Sequence, residues 1–313
     1  MAVLPHLIGL FTLLGVGLVS AIALAAITMA HRLAHPPRKT YAWAVSRQRA
    51  GTPMELVPPR AFEAVRLRLK GNECPAWEIA GENPSGPLVI FTPGWGDSKL
   101  GVLTRLDPVI RHASRLIAWD PPGHGETDAS TTCGMGLLEP ALLEELIRQQ
   151  VESEPALGSR GVMLFGSSLG AGVSIVSGGT DRAGAVRGVI AEAPYRLART
   201  PASNVMRLSG LPYRVNGPIA FLMLGARRGS VFWKGFDRAG HARRLACPLL
   251  VLHGTDDEVC PIADGEAIAA AAPKGKLATI VGGNHNELWV DERTRGACVA
   301  AVGEFLDGIA GTG

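Results

Sequence analysis

The sequence is poor in the features that mark several common protein classes. Its five cysteines form no Cys-x-x-Cys pair, which argues against a disulfide framework and against a structural zinc site. It has no phosphate-binding loop and no cluster of metal ligands, which disfavours a nucleotide enzyme or a phosphatase. The net charge of +3 is too small to indicate a nucleic-acid binder. An apolar content of 47% excludes a disordered chain and is enough for a sizeable core.

Charge is also absent from the N-terminal segment. Residues 7–30 are 24 consecutive uncharged and mostly apolar residues. As a helix they span roughly 36 Å, against about 30 Å for a bilayer core. A cleaved signal peptide is the alternative, but it begins with positive charge and has an apolar stretch of only about 7–15 residues. We therefore predict an uncleaved transmembrane anchor at residues 1–31.

Basic residues follow the apolar segment, whereas none precedes it. They are Arg32, Arg38, Lys39, Arg47 and Arg49. The positive-inside rule then places the N-terminus outside and the rest of the chain in the cytoplasm. Five cysteines without a pairing pattern fit that reducing compartment. Because a large domain can be translocated despite flanking charge, the opposite topology stays open. Residues 32–60 contain several prolines and arginines, and we predict that they form a basic linker.

From Ala61 onward, short apolar runs alternate with longer amphipathic segments. Compact apolar runs suit strands that are buried on both faces, and strand–helix alternation is typical of a mostly parallel sheet covered by helices on both sides. Residues 61–313 are therefore predicted to form one α/β domain. The predicted strands lie at residues 61–69, 76–80, 88–92, 115–119, 162–165, 189–191, 249–253 and 277–281, and the predicted helices at residues 100–112, 136–153, 169–177, 262–272 and 287–306.

The strongest local motif is Gly166-Ser167-Ser168-Leu169-Gly170. It lies between a predicted strand and a predicted helix, the context in which Gly-x-Ser-x-Gly forms a nucleophile elbow. The serine occupies a sharp, strained turn, and side chains two positions away on either side would crowd that turn. The following helix begins at the nucleophile, where its dipole favours developing negative charge. We predict Ser168 to be a catalytic nucleophile; an ordinary glycine-serine loop is the alternative.

A serine nucleophile needs a base and a group that orients the base, in the chain order Ser, acid, His for this type of site. His285 follows the last predicted strand in a glycine-bearing turn. Asp256 and Asp257 follow the preceding strand, and spacing alone leaves both open as the acid. Glu192 also ends a predicted strand and is the acid of a rarer arrangement.

These segments together resemble the α/β-hydrolase superfamily from Ala61 to the C-terminus. The resemblance rests on Thr92-Pro93-Gly94-Trp95-Gly96-Asp97, Asp120-Pro121-Pro122-Gly123-His124-Gly125, the Ser168 elbow, and His253-Gly254 through Pro261 with Gly283-Asn284-His285-Asn286. It implies an α/β-hydrolase fold. It also implies that Asp257 is the acid in the pattern His-Gly-x-x-Asp-x-x-Val-Pro, in which this chain has Cys260 instead of Val.

The resemblance further implies an oxyanion hole, which presents two backbone N–H groups to the tetrahedral intermediate. The donors would be the amides of Trp95 and Leu169. Many superfamily members have His where this chain has Pro93, so no side-chain role is expected there. The Asp120–Gly125 turn is read as scaffolding near the site. The implied chemistry is acyl transfer in two steps without a cofactor or metal.

A long stretch separates Glu192 from Pro248, more than a simple crossover and its helix require. Residues 195–244 contain ten Lys or Arg and one acidic residue, a net +9, together with apolar groups such as Leu222, Phe232, Trp233 and Phe236. Basic charge mixed with apolar groups is typical of binding at an anionic membrane surface. We predict a lid that faces the membrane; a solvated basic face is the alternative.

The sequence therefore predicts a membrane-anchored serine hydrolase that cleaves a carboxylic ester or thioester of an acyl-chain substrate at a membrane lipid surface, with no nucleic-acid partner. This architecture resembles the membrane-tethered acylglycerol lipases and protein depalmitoylases of the superfamily. Two other functions stay open: a peptidase or amidase with the same triad, and a non-catalytic hydrolase-like binding protein. The motifs do not choose the substrate, because one fold hosts many functions.

Overall fold

One sheet organises the domain in the computed structural model, which describes residues 3–210, 213–228 and 237–310. Its eight strands have the order β1-β2-β4-β3-β5-β6-β7-β8. The first two strands pair antiparallel, β2 runs antiparallel to β4, and all other neighbours are parallel. The strands are β1 (Phe62–Leu69), β2 (Asn72–Ala80), β3 (Leu88–Thr92), β4 (Arg115–Trp119), β5 (Val162–Ser167), β6 (Val186–Glu192), β7 (Leu249–Gly254) and β8 (Gly275–Ile280).

The predicted mostly parallel sheet with helices on both faces is confirmed. Burial in β3 shows why the central strands read as continuous apolar runs. Leu88 and Ile90 belong to the core on one face of the sheet, and Val89 and Phe91 to the core on the other. All four are almost completely buried. Because both faces are covered, no polar alternation is needed.

The helices divide between the two faces. In the described part of the chain they are α1 (Val3–Ala34), α2 (Tyr41–Ser46), α3 (Leu106–Ile110), α4 (Glu139–Ser153), α5 (Leu157–Arg160), α6 (Leu169–Thr180), α7 (Arg199–Leu208), α8 (Tyr213–Arg228), α9 (Arg238–Ala242), α10 (Ile262–Ala271) and α11 (Glu292–Ala310), with 3-10 turns at Pro53–Glu55 and Lys99–Thr104. The core on the face of Leu88 and Ile90 includes residues of α4, α6, α8, α9 and α10, and the core on the opposite face includes residues of α3 and α11.

Two predicted helices differ most from the observed ones, and the helix predicted from residue 136 begins at Glu139. The segment predicted as one helix at residues 100–112 is a 3-10 turn followed by the short α3, and Arg105 at their junction turns its buried side chain towards Glu192. The helix predicted from residue 287 begins at Glu292. Before it, the Asn284 side chain accepts hydrogen bonds from the backbone amides of Asn286 and Glu287 and holds residues 284–287 in a turn.

Helix α1 is long and apolar enough to cross a membrane. Most of its side chains are exposed, for example Leu13 at 76%, so α1 is not a core helix of the domain. Its last turns are different, because Met29 and Leu33 are buried and the helix packs against α8.

The segment after α1, predicted as a linker, lies against the domain. Arg38 donates a hydrogen bond of 2.9 Å to the backbone oxygen of Asp128 and another to that of Thr127. The amide of Cys133 donates to the carbonyl of Ala34 at 2.9 Å. These contacts fix the polypeptide that leaves α1 on the surface of the α/β domain.

The stretch predicted as a lid contains α7, α8 and α9. Asn204 of α7 donates to the backbone oxygen of Val259 at 2.9 Å, which ties this stretch to the loop after β7. The predicted lid aromatics Phe232, Trp233 and Phe236 lie outside the described residues.

Candidate active site

Ser168 sits at the turn between β5 and α6 with φ of 51° and ψ of −109°, a strained conformation for a residue with a side chain. A Cβ at Gly166 would lie 2.1 Å from the oxygen of Gly170, and one at Gly170 would lie 2.0 Å from the oxygen of Thr92. Both positions therefore require glycine, for the steric reason that the motif indicated. The Ser168 amide donates to the oxygen of Glu192 at 2.7 Å and anchors the turn.

A continuous chain of hydrogen bonds connects three side chains from different strand ends. Ser168 Oγ lies 3.0 Å from His285 Nε2, and His285 Nδ1 lies 2.7 Å from Asp257 Oδ2. The side chain of Asp257 is fully buried, whereas that of His285 is 11% exposed. The structure thus brings together the predicted nucleophile, base and acid at the carboxyl edge of the sheet, with spacings suited to proton transfer.

The carboxylate of Asp257 is surrounded by donors. Its Oδ1 accepts from the amides of Val259 at 2.9 Å and Cys260 at 2.7 Å, and its Oδ2 lies 3.4 Å from His253 Nε2 as well as near His285. Burial alone raises the pKa of Asp257, but hydrogen bonds from His253 and His285, with the charge of His285, hold it below the ordinary value. The group is therefore ionised at neutral pH and orients the imidazole.

The two other candidate acids lie elsewhere. Asp256 accepts from its neighbour Thr255 at 2.8 Å and is exposed. Glu192 is buried and accepts from Arg105 Nε at 2.7 Å and from Trp289 Nε1 at 2.7 Å. Of these three acids, Asp257 is the one in contact with His285.

The loop at residues 93–97, called the oxyanion loop after the role predicted for it, lies beside Ser168. A Cβ at Gly94 would be 3.3 Å from Ser168 Cβ, and α6 begins at Leu169. In the described part of the chain, neither the Trp95 nor the Leu169 amide has a hydrogen-bond acceptor, as expected of donors reserved for a substrate oxygen. The Trp95 side chain donates from Nε1 to the carbonyl oxygen of Leu33 at 2.9 Å.

A cavity of about 640 Å³ opens at Ser168 and His285, within the range of small-molecule sites. Much of its mainly apolar wall comes from four parts of the chain: the end of α1, the segment around α2, the oxyanion loop with the following turn, and α7. Apolar lining residues include Leu33, Trp43, Leu56, Trp95, Leu100, Leu103, Met135, Leu169, Ala202, Val205, Leu208 and Val259.

Sequence reasoning missed several parts of this site. Nothing in the sequence indicated that Leu33, Trp43 and Leu56, from the anchor and linker, would line the cavity. It also missed the buried ion pair of Arg105 and Glu192. Burial disfavours the charged guanidinium of Arg105, but attraction to the Glu192 carboxylate outweighs this and raises the pKa of Arg105. Both depend on contacts between residues far apart in sequence. His253 belongs to the motif His253-Gly254, which does not indicate that this histidine lies 3.4 Å from the acid.

The turn after β4 supports the segment that follows the oxyanion loop. Asp120 accepts from the Lys99 amide at 2.7 Å, from Lys99 Nζ at 2.8 Å and from the Glu126 amide at 3.0 Å. His124 is completely buried, and burial lowers its pKa. Both groups hold loop backbone rather than face the cavity.

One group of side chains has the composition of a metal site. Ligand atoms of Asp257, Cys260 and His285 lie within 4.8 Å of one another. Both ring nitrogens of His285 are, however, engaged with Ser168 and Asp257. A metal ion there would replace the hydrogen-bonded chain, so we assign Asp257 and His285 to that chain.

No protein-family model matches the chain, and a comparison with curated protein sequences finds no match. Solved structures do match. The Pyrococcus furiosus esterase Pf2001 is 18% identical with a TM-score of 0.67, over 88% of this chain and 98% of that chain. The esterase RhEst1 from a Rhodococcus species is 21% identical with a TM-score of 0.54, over 79% and 99%. A membrane phospholipase A, described as a bacterial virulence factor, is 16% identical with a TM-score of 0.58, over 98% and 99%. The chain therefore has the α/β-hydrolase fold.

Proposed function

We propose that this protein is a serine hydrolase that cleaves carboxylic ester or thioester bonds of acyl-chain substrates. The observation that carries the proposal is the chain from Ser168 through His285 to Asp257, with spacings of 3.0 and 2.7 Å. A strained serine, an oriented imidazole and an ionised carboxylate form the arrangement that activates a hydroxyl group for attack on a carbonyl carbon. The esterases and the phospholipase of the same fold support ester substrates.

In the acylation step, Ser168 Oγ attacks the carbonyl carbon while its proton passes to His285 Nε2. Asp257 holds the proton on Nδ1 and stabilises the imidazolium. Negative charge develops on the former carbonyl oxygen, where the amides of Trp95 and Leu169 donate to it. The intermediate collapses when His285 gives its proton to the leaving oxygen or sulfur, which leaves an acyl-Ser168 ester.

In the deacylation step, His285 accepts a proton from water as that water attacks the acyl-enzyme. The second intermediate collapses, Ser168 recovers its proton from His285, and the carboxylic acid leaves. Each proton taken up by the imidazole is returned, so these residues need no further acid or base.

The apolar wall of the cavity supports an acyl chain as the group that lies next to Ser168. Ala202 of α7 lines the wall and is almost completely buried, so a larger side chain there would fill part of the cavity. We expect Ala202→Phe to shift the preferred p-nitrophenyl ester towards shorter chains. Gly303→Ala is a matched control, because a Cβ at Gly303 would meet no atom within 4 Å. An unchanged profile in Ala202→Phe would contradict this placement of the acyl chain.

We also propose that α1 anchors the enzyme in a membrane with the N-terminus outside and the domain in the cytoplasm. The length and exposed apolar surface of α1 support the anchor, and the basic residues that follow it support the orientation. Cysteine substitutions at Ala2 and at the exposed Glu63 test the topology with a membrane-impermeant thiol reagent. Labelling of the first but not the second in intact cells is expected; the reverse pattern would contradict the orientation.

The stretch of residues 195–244 is proposed as a lid that faces the membrane surface. Helix α8 packs against α1 and exposes Val215, Ile219 and Leu222, which recur on one side of the helix. A lid in this place would present apolar groups beside the anchor. We expect Leu222→Asp to reduce hydrolysis of esters in anionic vesicles more than hydrolysis of a soluble short-chain ester; equal effects would favour a solvated face.

A fluorophosphonate probe tests the nucleophile directly, because it phosphonylates an activated serine. The wild-type protein should be labelled at Ser168, and Ser168→Ala should be neither labelled nor active. Ser167→Ala removes the adjacent hydroxyl, which donates to Glu192 and not to His285. This variant should remain labelled. Faster turnover of peptide amides than of esters would favour a peptidase, and absence of both labelling and turnover would favour a binding protein.

A further inference from the structure

The indole of Trp95 joins the oxyanion loop to the last turn of α1. Its Nε1 donates a 2.9 Å hydrogen bond to the carbonyl oxygen of Leu33. The last four carbonyls of a helix have no partner within the helix, so the indole satisfies one of them. Leu33 is 4% exposed and its side chain lines the catalytic cavity. The end of the apolar helix is therefore bonded to the residue whose amide we assign to the oxyanion hole.

The next two residues of the oxyanion loop also contact the chain that leaves α1. Gly96 has a φ of 74°, and a Cβ on it would lie 3.4 Å from Pro37 Cδ, so its backbone is packed against that proline. Lys39 Nζ lies 3.1 Å from Asp97 Oδ1. Three consecutive residues of the loop thus rest on residues 33–39, here called the juxtamembrane segment.

The opposite side of the loop rests on the nucleophile elbow. A Cβ on Gly94 would lie 3.3 Å from the oxygen of Ser167 and from Ser168 Cβ. The loop is therefore held between the elbow on one side and the juxtamembrane segment on the other. The position of the Trp95 amide depends on both supports.

We propose that the juxtamembrane segment positions the oxyanion loop, so that docking of the membrane-anchor end on the domain sets the rate of the chemical step. In this arrangement the Trp95 side chain is a positioning group, distinct from the Trp95 amide that contacts the oxyanion. The inference rests on the proposed serine-hydrolase function.

The chemistry predicts which kinetic constant changes. The Trp95 amide meets full negative charge only in the transition state and the tetrahedral intermediate. Displacement of that amide removes an interaction that the ground state lacks, so kcat and kcat/KM fall together while KM stays nearly constant. A side chain that merely contacted the substrate would instead change KM.

The test uses the full-length enzyme in detergent micelles and a soluble short-chain p-nitrophenyl ester. Trp95→Phe removes the indole donor together with some volume. Replacement of Trp95 by 3-benzothienylalanine removes the donor and keeps the bicyclic shape. Loss of one hydrogen bond predicts that kcat decreases about tenfold in both variants, with KM within about twofold. The rate of fluorophosphonate labelling should fall in parallel, because phosphonylation uses the same oxyanion hole.

Two cations near the end of α1 provide a matched comparison. Lys39→Met breaks the contact with Asp97 in the oxyanion loop, and kcat should fall about threefold, as expected for a partly exposed ion pair. Arg32→Met removes an exposed cation that lies outside the juxtamembrane segment, and kcat should stay within about twofold. Equal losses in the two variants would contradict a specific role of the contact with the oxyanion loop.

The outcomes separate the inference from the proposed function. If the wild-type enzyme is labelled and hydrolytic but both Trp95 variants keep kcat within about twofold, the positioning role is wrong and the serine-hydrolase assignment stands. An increase in KM at constant kcat also overturns it. If the wild-type protein is neither labelled nor hydrolytic, both proposals fail.

Discussion

Replacement of Asp257 by Asn tests how the acid controls the imidazole. Two backbone amides, those of Val259 and Cys260, point at Oδ1 from 2.9 and 2.7 Å. The amide oxygen of the variant side chain must take that position, because an NH2 group there would face two donors. The NH2 group is then placed where Oδ2 lies 2.7 Å from His285 Nδ1.

Two donors cannot share that contact, so His285 presents Nδ1 as an acceptor and carries its proton on Nε2. In this tautomer Nε2 cannot accept the proton of Ser168. We expect kcat to fall about 10⁴-fold, as it does when a triad aspartate elsewhere is replaced by asparagine. At about 1.4 kcal/mol for each factor of ten, the loss corresponds to about 5.5 kcal/mol of transition-state stabilisation.

The assay is hydrolysis of p-nitrophenyl butyrate by the full-length enzyme in detergent, with the folded fraction checked by thermal unfolding. Asp256→Asn is the matched control, since Asp256 is exposed and accepts from Thr255, and its kcat should stay within about twofold. The reasoning is refuted if folded Asp257→Asn keeps more than a tenth of the wild-type kcat, or if Asp256→Asn loses as much.

Three further predictions concern stability. Gly170→Ala should lower the free energy of unfolding by more than about 2 kcal/mol, because the added Cβ would lie 2.0 Å from a backbone oxygen. Gly303→Ala lies in a helix where the added Cβ meets no atom within 4 Å, and it should raise the free energy of unfolding by about 0.5–1 kcal/mol. Urea unfolding measures both changes. Arg105→Met should cost about 3–5 kcal/mol, because it leaves the buried Glu192 carboxylate without its cation, and an unchanged urea midpoint would contradict this. Burial lowers the pKa of His124, so the unfolded state binds more protons below about pH 6.5. The unfolding temperature should therefore fall as the pH is lowered from 7 to 5, and it should fall less in His124→Gln. An equal decrease in the wild-type protein and the variant would show that His124 does not contribute.

The central sheet was predictable because its strands are buried on both faces. The ranges Leu88–Thr92 and Arg115–Trp119 agree with the predicted ones, since a short apolar run bounded by turn residues leaves little choice of boundary. The elbow was predictable for a related reason, because the steric demands of its turn fix glycine at two positions around Ser168.

The start of α11 and the break at Arg105 were not predictable from local periodicity. In both places a side chain joins a buried polar group from another part of the chain. Arg105 pairs with Glu192, and Trp289, in the segment before α11, donates to the same carboxylate. A tertiary contact of this kind overrides helix propensity without leaving a periodic signal.

The role of the anchor end was likewise hidden in the sequence. Leu33 belongs to an apolar helix whose composition indicates only membrane insertion, whereas the structure places it in the wall of the cavity at Ser168 and in a hydrogen bond with the indole of Trp95. The basic residues after the helix indicated topology, but Arg38 and Lys39 also hold loops of the domain.

The most direct test of the account is identification of the residue modified by a fluorophosphonate probe in the full-length protein. Peptide mass spectrometry after labelling should place the phosphonate on Ser168, and prior replacement of His285 by Ala should abolish both labelling and ester turnover. Labelling at another residue, or ester turnover that persists in Ser168→Ala, would contradict the assignment of Ser168, His285 and Asp257 as the catalytic residues.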